Sequence, residues 1–340
     1  MYVLSFRSLN NQLFPSVEDA TLYRIDPVDP NYIWKPFDLL SLQTVDPVRF
    51  RHDVQGAHVC FIIHGFNVDR DSGFGSGGAM AQEFRGEGPL SHMPPPDLLN
   101  LITPTVDYFI PVLWPGDFHH VPLNYPFVLG AARSVGRNFA QFLTSSNSTL
   151  RRASFFTHSF GARVMLETVQ NAQRAQGRVG QGRPPPVFDA AVVTAGAASE
   201  TVLDSPFYAD AVAALRRIVV VSAPTDEILT TWFPTGNAVE KALWNNDPGP
   251  NIALGLDGPV LRDDSAARSK TQWYVVTDAR NAMGGPAQSQ YHGDYMPNPG
   301  DPAPPPNGWS EKRERIARLT QAVFDGSIAP WPARTSIPAP

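Results

Sequence analysis

The stretch from Ala153 to Val169 constrains the fold more than any other part of the sequence. It begins with apolar residues typical of a buried strand and passes through His158-Ser159-Phe160-Gly161. The residues that follow have the spacing of an amphipathic helix. A strand, a sharp turn with a serine at its apex and a helix are therefore predicted in that order. Gly161 suits the turn, because a helix that packs close to the strand leaves no room for a Cβ atom.

This order is typical of a nucleophile elbow, in which the turn exposes a serine hydroxyl at the end of a sheet. The amide after the serine, Phe160 N–H, is then at a helix N-terminus, where it can stabilise a developing oxyanion. The usual pattern is G-x-S-x-G, and Thr157 stands at its first glycine. The alternative is a serine that only caps a helix. An acid, a base and a second oxyanion donor elsewhere in the chain would favour the nucleophile elbow over the helix cap.

Composition excludes several classes of function. The chain has 340 residues, 42% of them hydrophobic, which is enough for a large core. A net charge of −5, with 27 Lys and Arg residues and no basic run, argues against a nucleic-acid partner. No apolar run reaches about 18 residues, so no membrane span is expected. Residues 1–7 lack the features of a signal peptide, so a cytoplasmic location is expected, with a removed leader as the alternative.

Apolar runs alternate with helical patterns along the chain, which favours an α/β fold with a mostly parallel central sheet and helices on both faces. We expect an N-terminal strand and turn-rich extension at 1–55, the main α/β domain at 56–326 and a Pro-rich tail at 327–340. Pro111 indicates a bulge or an edge strand. Strands are predicted at 1–7, 21–25, 57–63, 106–114, 153–157, 187–194, 218–222 and 273–277. Helices are predicted at 79–84, 128–143, 162–169 and 311–324.

Reactive groups in a parallel sheet gather at the carboxyl ends of its strands. The strand at 57–63 is followed by His64-Gly65-Phe66-Asn67. We predict Phe66 N–H as the second oxyanion donor, with Asn67 as a less favoured alternative. His64 is expected to brace this loop by hydrogen bonding.

An acid and a base follow two later strands. Asp226 comes after the strand at 218–222, and His292 is the only histidine after Ser159 in the chain. The order serine, acid, histidine therefore has one solution for its base. Asp226 would orient His292 and stabilise its charged form. The alternative acids are Glu227, Asp278 and Asp294.

Some further motifs give weaker signals. The apolar segment after the acid suggests Trp232 and Phe233 as part of an acyl pocket or a small lid, and packing against the sheet edge is at least as well supported. His119 and His120 are adjacent but have no matching carboxylate or cysteine spacing, so a metal site is not expected. The single cysteine, Cys60, excludes sites built from several cysteines and is expected to be buried in its strand.

With these residues assembled, the chain resembles the α/β-hydrolase superfamily. It looks most like a bacterial serine-hydrolase branch described only as a domain of unknown function. The resemblance covers about residues 57–295, and it implies the α/β-hydrolase fold for the domain at 56–326. It also implies Ser159 as nucleophile, Asp226 as acid, His292 as base and no cofactor. In that branch a methionine more often follows the serine, where this chain has Phe160. The segments that carry the resemblance are 61–67, 112–117, 157–164 and 219–226.

The sequence therefore predicts a serine hydrolase that cleaves small or lipid-like carboxylic esters through an acyl-enzyme. A second possibility is an acyltransferase that uses the same triad. A third is a binding protein that keeps the fold without turnover, because a fold alone does not establish function.

Overall fold

The described residues contain ten strands, and all of them join one sheet. The computed structural model describes residues 2–7, 17–24, 43–66, 106–116, 125–145, 149–176, 185–243, 252–276, 292 and 334–337. The strands are β1 (Tyr2–Arg7), β2 (Val17–Arg24), β3 (Gln43–Thr44), β4 (His58–Ile63), β5 (Tyr108–Leu113), β6 (Arg152–His158), β7 (Val187–Thr194), β8 (Arg217–Ser222), β9 (Thr271–Val276) and β10 (Arg334–Ile337).

Seven helices connect or flank these strands in the described part of the chain. They are α1 (Pro47–Asp53), α2 (Tyr125–Thr144), α3 (Gly161–Gln176), α4 (Ala209–Ala214), α5 (Glu227–Thr231), α6 (Phe233–Leu243) and α7 (Leu254–Asp257). Short 3-10 helices lie at Val202–Asp204, Pro206–Tyr208 and Arg268–Lys270. None of these helices is long and apolar enough to span a membrane.

The strand order is β10-β9-β8-β7-β6-β4-β5-β1-β2-β3. Pairing is parallel from β10 through to β1, and only β2 and β3 add antiparallel pairs at one edge. Every residue of β4 is buried, so both faces of the sheet centre are covered. The predicted α/β fold with a mostly parallel central sheet is confirmed.

The sheet draws on all three segments predicted from the sequence, since β1–β3 come from 1–55 and β10 from 327–340. The predicted strand at 187–194 is found with the same bounds. The predicted helices at 79–84 and 311–324 lie outside the described residues.

The expectation for Pro111 was wrong, because β5 is an interior strand between β4 and β1. Pro111 pairs in regular register with Ile62 on β4. On the opposite side, the pairs with β1 begin at Val112, one residue after the proline. A proline lacks the N–H that a second neighbour would need, so β5 tolerates it where only one side is paired.

Aromatic packing fixes α2 on the strands that carry the site. The ring of Phe139 on α2 lies 4.9 Å from that of Phe61 on β4 and 6.3 Å from that of Phe155 on β6, measured between centroids. All three side chains are fully buried. Cys60, also on β4, is buried as expected, and burial raises the pKa of its thiol. The centre of the sheet is thus a rigid platform for the loops at its carboxyl end.

Candidate active site

Ser159 occupies a strained turn between β6 and α3. Its φ is 53°, in the left-handed region that residues with a side chain rarely adopt. The Ser159 N–H donates to the Thr194 carbonyl at 3.0 Å, and Ala197 N–H donates to the Ser159 carbonyl at 3.1 Å. Both partners lie at the carboxyl end of β7 or just after it. The predicted strand–turn–helix is therefore present, and backbone hydrogen bonds hold its strained apex.

Two glycines let the turn approach the end of β4. A Cβ atom on Gly161 would lie 2.5 Å from the Ile63 carbonyl oxygen, which confirms the predicted reason for a glycine there. A Cβ atom on Gly65 would lie 2.8 Å from the Ser159 Cβ and 2.9 Å from His158 Nδ1. The loop after β4 is thus in direct contact with the elbow.

Thr157 fits at the position of the usual first glycine because its side chain faces a neighbouring strand. The Thr157 hydroxyl donates to the Val192 carbonyl on β7 at 3.2 Å, and the side chain is fully buried. In return, the Thr194 hydroxyl donates to the Thr157 carbonyl at 2.9 Å. The departure from G-x-S-x-G therefore ties the elbow strand to β7.

Asp226 and His292 are in direct contact. Asp226 follows β8 and is completely buried. Its Oδ1 accepts the Leu229 N–H at 3.0 Å and so caps α5, while its Oδ2 lies 2.8 Å from His292 Nδ1. A carboxylate accepts hydrogen bonds, so Nδ1 carries the proton and Nε2 is the ring nitrogen available for proton transfer. The structure thus brings together the predicted acid and the predicted base.

His292 also lies beside the elbow. The rings of His292 and His158 are 4.8 Å apart between centroids, and His158 immediately precedes Ser159. Within the described residues, no hydrogen bond joins the Ser159 hydroxyl to the His292 ring. In enzymes, the hydrogen bond between a nucleophile and its general base is often long until substrate binds.

Glu227, the neighbour of Asp226, does not make the acid contact. It is exposed in the first turn of α5, whereas the buried Asp226 contacts His292. In the part of the chain that the structure describes, no group of three or more His, Cys, Asp or Glu side chains could hold a metal ion. Five residues considered as an oxyanion donor, a metal ligand or an acid lie outside the described residues: Asn67, His119, His120, Asp278 and Asp294.

The two predicted oxyanion donors belong to segments that meet at the elbow. Phe66, half-buried, follows β4, and Phe160, buried, follows Ser159. Their rings pack at 6.0 Å between centroids in an edge-on arrangement. The Phe160 amide also stands at the N-terminus of α3, a helix of 16 residues. The two backbone segments therefore converge beside Ser159.

His64 braces the loop after β4 by hydrogen bonding, as expected. Trp114 N–H donates to His64 Nε2 at 3.3 Å, so Nδ1 carries the ring proton and donates to the Gly65 carbonyl at 2.9 Å. The Trp114 indole N–H donates to the His64 carbonyl at 2.9 Å, and the two rings stack. These bonds fix the loop that contacts the elbow.

The two residues predicted for an acyl pocket differ in exposure. Trp232 is 48% exposed, whereas Phe233 is only 2% exposed and packs in the core. Ile228, one helical turn before Trp232, is 45% exposed. Trp232 and Ile228 thus present apolar surface close in the chain to Asp226.

Sequence reasoning missed two residues around the elbow. His158 Nε2 lies 2.6 Å from the His292 carbonyl oxygen. Arg163, buried on α3, donates through Nε to the Ala197 carbonyl at 2.8 Å and braces the loop after β7. A histidine at the buried end of a strand, directly before the nucleophile position, was the available signal for His158.

Comparison with known proteins gives weak likenesses. No protein-family model matches the chain, and no curated protein matches it. Among solved structures, the chain is similar to a thermophilic esterase of the Planctomycetes species Thermogutta terrifontis. The propionate-bound form has 11% identity and a TM-score of 0.40 over 93% of this chain and 92% of that chain. The native form has 10% identity and a TM-score of 0.40 over 90% and 88%. These values are too low to assign an activity to this chain.

Proposed function

We propose that the protein is a serine hydrolase that cleaves carboxylic esters through an acyl-enzyme. One observation carries the proposal: the strained Ser159 directly follows His158, whose ring packs at 4.8 Å against that of His292, and His292 Nδ1 is 2.8 Å from the buried carboxylate of Asp226. Strained backbone in a stable fold points to a functional constraint. A buried carboxylate on one histidine nitrogen leaves the second nitrogen to act as a general base.

In the proposed acylation step, Ser159 Oγ attacks the ester carbonyl carbon while His292 Nε2 takes the hydroxyl proton. The carbonyl π electrons move to oxygen and form a tetrahedral oxyanion. The oxyanion collapses and breaks the bond to the alcohol oxygen, which takes the proton from His292. The products of this step are the free alcohol and an ester on Ser159.

Water completes the reaction. His292 takes a proton from a water molecule as the water oxygen attacks the carbonyl carbon of the acyl-enzyme. The resulting oxyanion collapses, the bond between the acyl carbon and Ser159 Oγ breaks, the carboxylic acid leaves, and the proton on His292 returns to Ser159 Oγ. The amides of Phe66 and Phe160 would bind the oxyanion in both steps. Removing one such donor typically costs about 2.7–4 kcal/mol of transition-state stabilisation. The proposed mechanism uses side chains, backbone amides and water, and it needs no cofactor.

We propose a small-molecule or lipid-like ester as substrate, with Trp232 and Phe233 at its acyl side. The exposed Trp232, with Ile228 one turn away, supports an apolar binding surface near the acid. Because Phe233 is buried in the core, we propose that it packs beneath the exposed Trp232 and holds it in place.

Covalent labelling tests the proposal. The protein is treated with a fluorophosphonate probe and its intact mass is measured, with Ser159→Ala and Ser154→Ala as variants. Ser154 is a matched control, because it is a buried serine near the amino end of β6, the strand that Ser159 follows. One adduct on wild type and on Ser154→Ala, absent from Ser159→Ala, is the expected result.

Three further results sharpen this test. His292→Ala should abolish labelling and ester hydrolysis without unfolding, whereas His120→Ala should leave both unchanged. Absence of an adduct on folded wild type would contradict the proposal and favour a binding protein without turnover. Acyl transfer to an added alcohol in preference to water would favour an acyltransferase.

A further inference from the structure

His158 makes a contact that the proposed mechanism does not use. It is the last residue of β6, and its side chain is buried. Its Nε2 lies 2.6 Å from the backbone carbonyl oxygen of His292, a residue 134 positions away in the chain. A carbonyl oxygen only accepts hydrogen bonds, so His158 Nε2 carries a proton and donates it.

This donor is neutral. Burial, followed by the nearby imidazoles of His292 and His64, lowers the pKa of His158 to about 3. Near neutral pH the ring therefore has one proton, and the bond to the His292 carbonyl fixes it on Nε2. The contact is a hydrogen bond between neutral groups and does not depend on a charge at His158.

The His158 ring has little room to move. A Cβ atom on Gly65 would lie 2.9 Å from its Nδ1, which places the loop after β4 against one side of the ring. The His292 ring lies 4.8 Å away, inclined at 49°. The side chain is thus held between the loop after β4 and the residue that we propose as the base.

We infer that His158 is a positioning residue that holds the backbone of His292 against the nucleophile elbow. This inference rests on the proposed function. Asp226 binds the His292 ring through Nδ1, and His158 binds the backbone of the same residue. Two contacts, one on the ring and one on the main chain, define where Nε2 points. Because His158 is adjacent to Ser159 in the chain, this single residue sets the position of the base, His292, relative to the nucleophile, Ser159.

The test compares three substitutions of His158. His158→Gln keeps an amide N–H donor at about the distance of Nε2. His158→Asn keeps an amide but is too short to reach the His292 carbonyl, and His158→Phe keeps the ring volume without a donor. The readouts are the rate constant of fluorophosphonate labelling of Ser159, and kcat and KM for a p-nitrophenyl ester.

We expect His158→Phe and His158→Asn to label roughly ten- to a hundred-fold more slowly than wild type, the cost of a small misplacement of a reacting group. The loss should fall on kcat, with KM little changed, because substrate contacts remain. His158→Gln should recover most of the rate. A role in packing alone predicts a different order, in which Phe is at least as active as Gln.

A matched control separates position from stability. His58 is also fully buried, and its Nε2 shares a hydrogen bond of 2.8 Å with Ser154 at the opposite end of the sheet. His58→Phe and His58→Gln should both label at the wild-type rate once folded. If His158→Phe does not fold, the Asn and Gln variants decide, since both carry an amide and differ in reach.

The outcomes distinguish the inference from the proposal beneath it. Wild-type labelling with equal rates for His158→Asn and His158→Gln would overturn the positioning role and leave the hydrolase proposal standing. An unlabelled, folded wild type would overturn the hydrolase proposal, and the positioning role with it. A slow His158→Asn variant with a restored His158→Gln variant supports both.

Discussion

Two buried histidines at opposite ends of neighbouring strands bind very different partners. His58 begins β4 and shares its hydrogen bond with Ser154 on the adjacent strand β6. His158 ends β6 and donates to the carbonyl of His292, far away in the chain. At the amino end of the sheet, this buried histidine thus binds a side chain on the neighbouring strand. The carboxyl end gathers residues from distant segments, which is how an active site is assembled in folds of this kind.

Backbone strain differs between the two ends in the same way. Among the described residues, the non-glycine residues with positive φ are Ser159 and Ala195, which directly follow β6 and β7. At the amino end the corresponding conformation belongs to Gly56, two residues before β4, where it costs little. The fold therefore tolerates strained side-chain-bearing residues at the edge where we propose the chemistry.

Two carboxylates give the largest expected contrast. Asp226→Asn should lower kcat/KM by roughly 10³–10⁴-fold, because an amide no longer holds His292 in the tautomer and charge state that the base needs. Asn is also a good N-cap, so α5 should stay intact. At the amino end, Asp107 accepts the His58 N–H at 2.7 Å, and Asp107→Asn should leave kcat/KM unchanged.

Steady-state kinetics on an ester, with thermal unfolding as the check on folding, measures both variants. Similar losses in Asp226→Asn and Asp107→Asn would show that the two ends of the sheet are not functionally distinct. Wild-type activity in Asp226→Asn would remove Asp226 from the mechanism.

The next largest effect is expected from steric crowding at the nucleophile elbow. Gly65→Ala would place a Cβ atom 2.8 Å from the Ser159 Cβ, and the rigid neighbours have to shift. We expect a loss of roughly ten- to a hundred-fold in kcat, as for comparable small misplacements of reacting groups. A labelling rate equal to that of wild type, in a folded variant, would mean that the loop after β4 does not set the position of Ser159.

The sequence predicts what depends on local patterns. Continuous apolar runs were enough to locate β4, β7 and β8, because strands buried on both faces leave that signature. The order of Ser159, Asp226 and His292 suggested their meeting, since carboxyl ends of parallel strands share an edge. The hydrogen bond between Asp226 and His292 agrees with that suggestion, while the roles of the three residues stay a prediction.

Contacts between distant segments could not be predicted in this way. Nothing local to His158 indicates that its partner is the carbonyl of His292, because the two residues are 134 positions apart in the chain. Pro111 misled the prediction for a similar reason, since the pairing of a strand depends on where its neighbour begins. A Pro-rich tail gave no sign of β10, a short strand that pairs with β9.

Acid should reveal the burial of His158. The pKa of an exposed histidine is about 6.5, and that of His158 in the fold is lowered to about 3 by burial. Between these values the unfolded chain binds a proton that the native chain does not. The neutral, buried His158 therefore contributes its full share to the free energy of unfolding above pH 6.5. That share is lost as the pH falls toward 3, at up to about 1.4 kcal/mol per pH unit.

Urea unfolding of wild type and His158→Gln at pH 7 and pH 5 measures this effect. The glutamine does not titrate, so wild type should lose more stability than the variant on acidification. Parallel losses in the two proteins would mean that His158 is protonated as easily in the fold as in the unfolded chain, and that its site is more open than the structure indicates.

The smallest effect is expected at Gly56, and its kind differs from that at Gly65. Gly56 has a φ of 72°, yet a Cβ atom there would have no neighbour within 4 Å. Gly56→Ala should thus cost only the backbone strain, about 1 kcal/mol in the free energy of unfolding, with kcat unchanged. Gly65→Ala should instead act mainly on kcat and less on the free energy of unfolding. If Gly56→Ala also lowered kcat, strain at the amino end would reach Ser159 through β4, and the two ends of the sheet would be coupled.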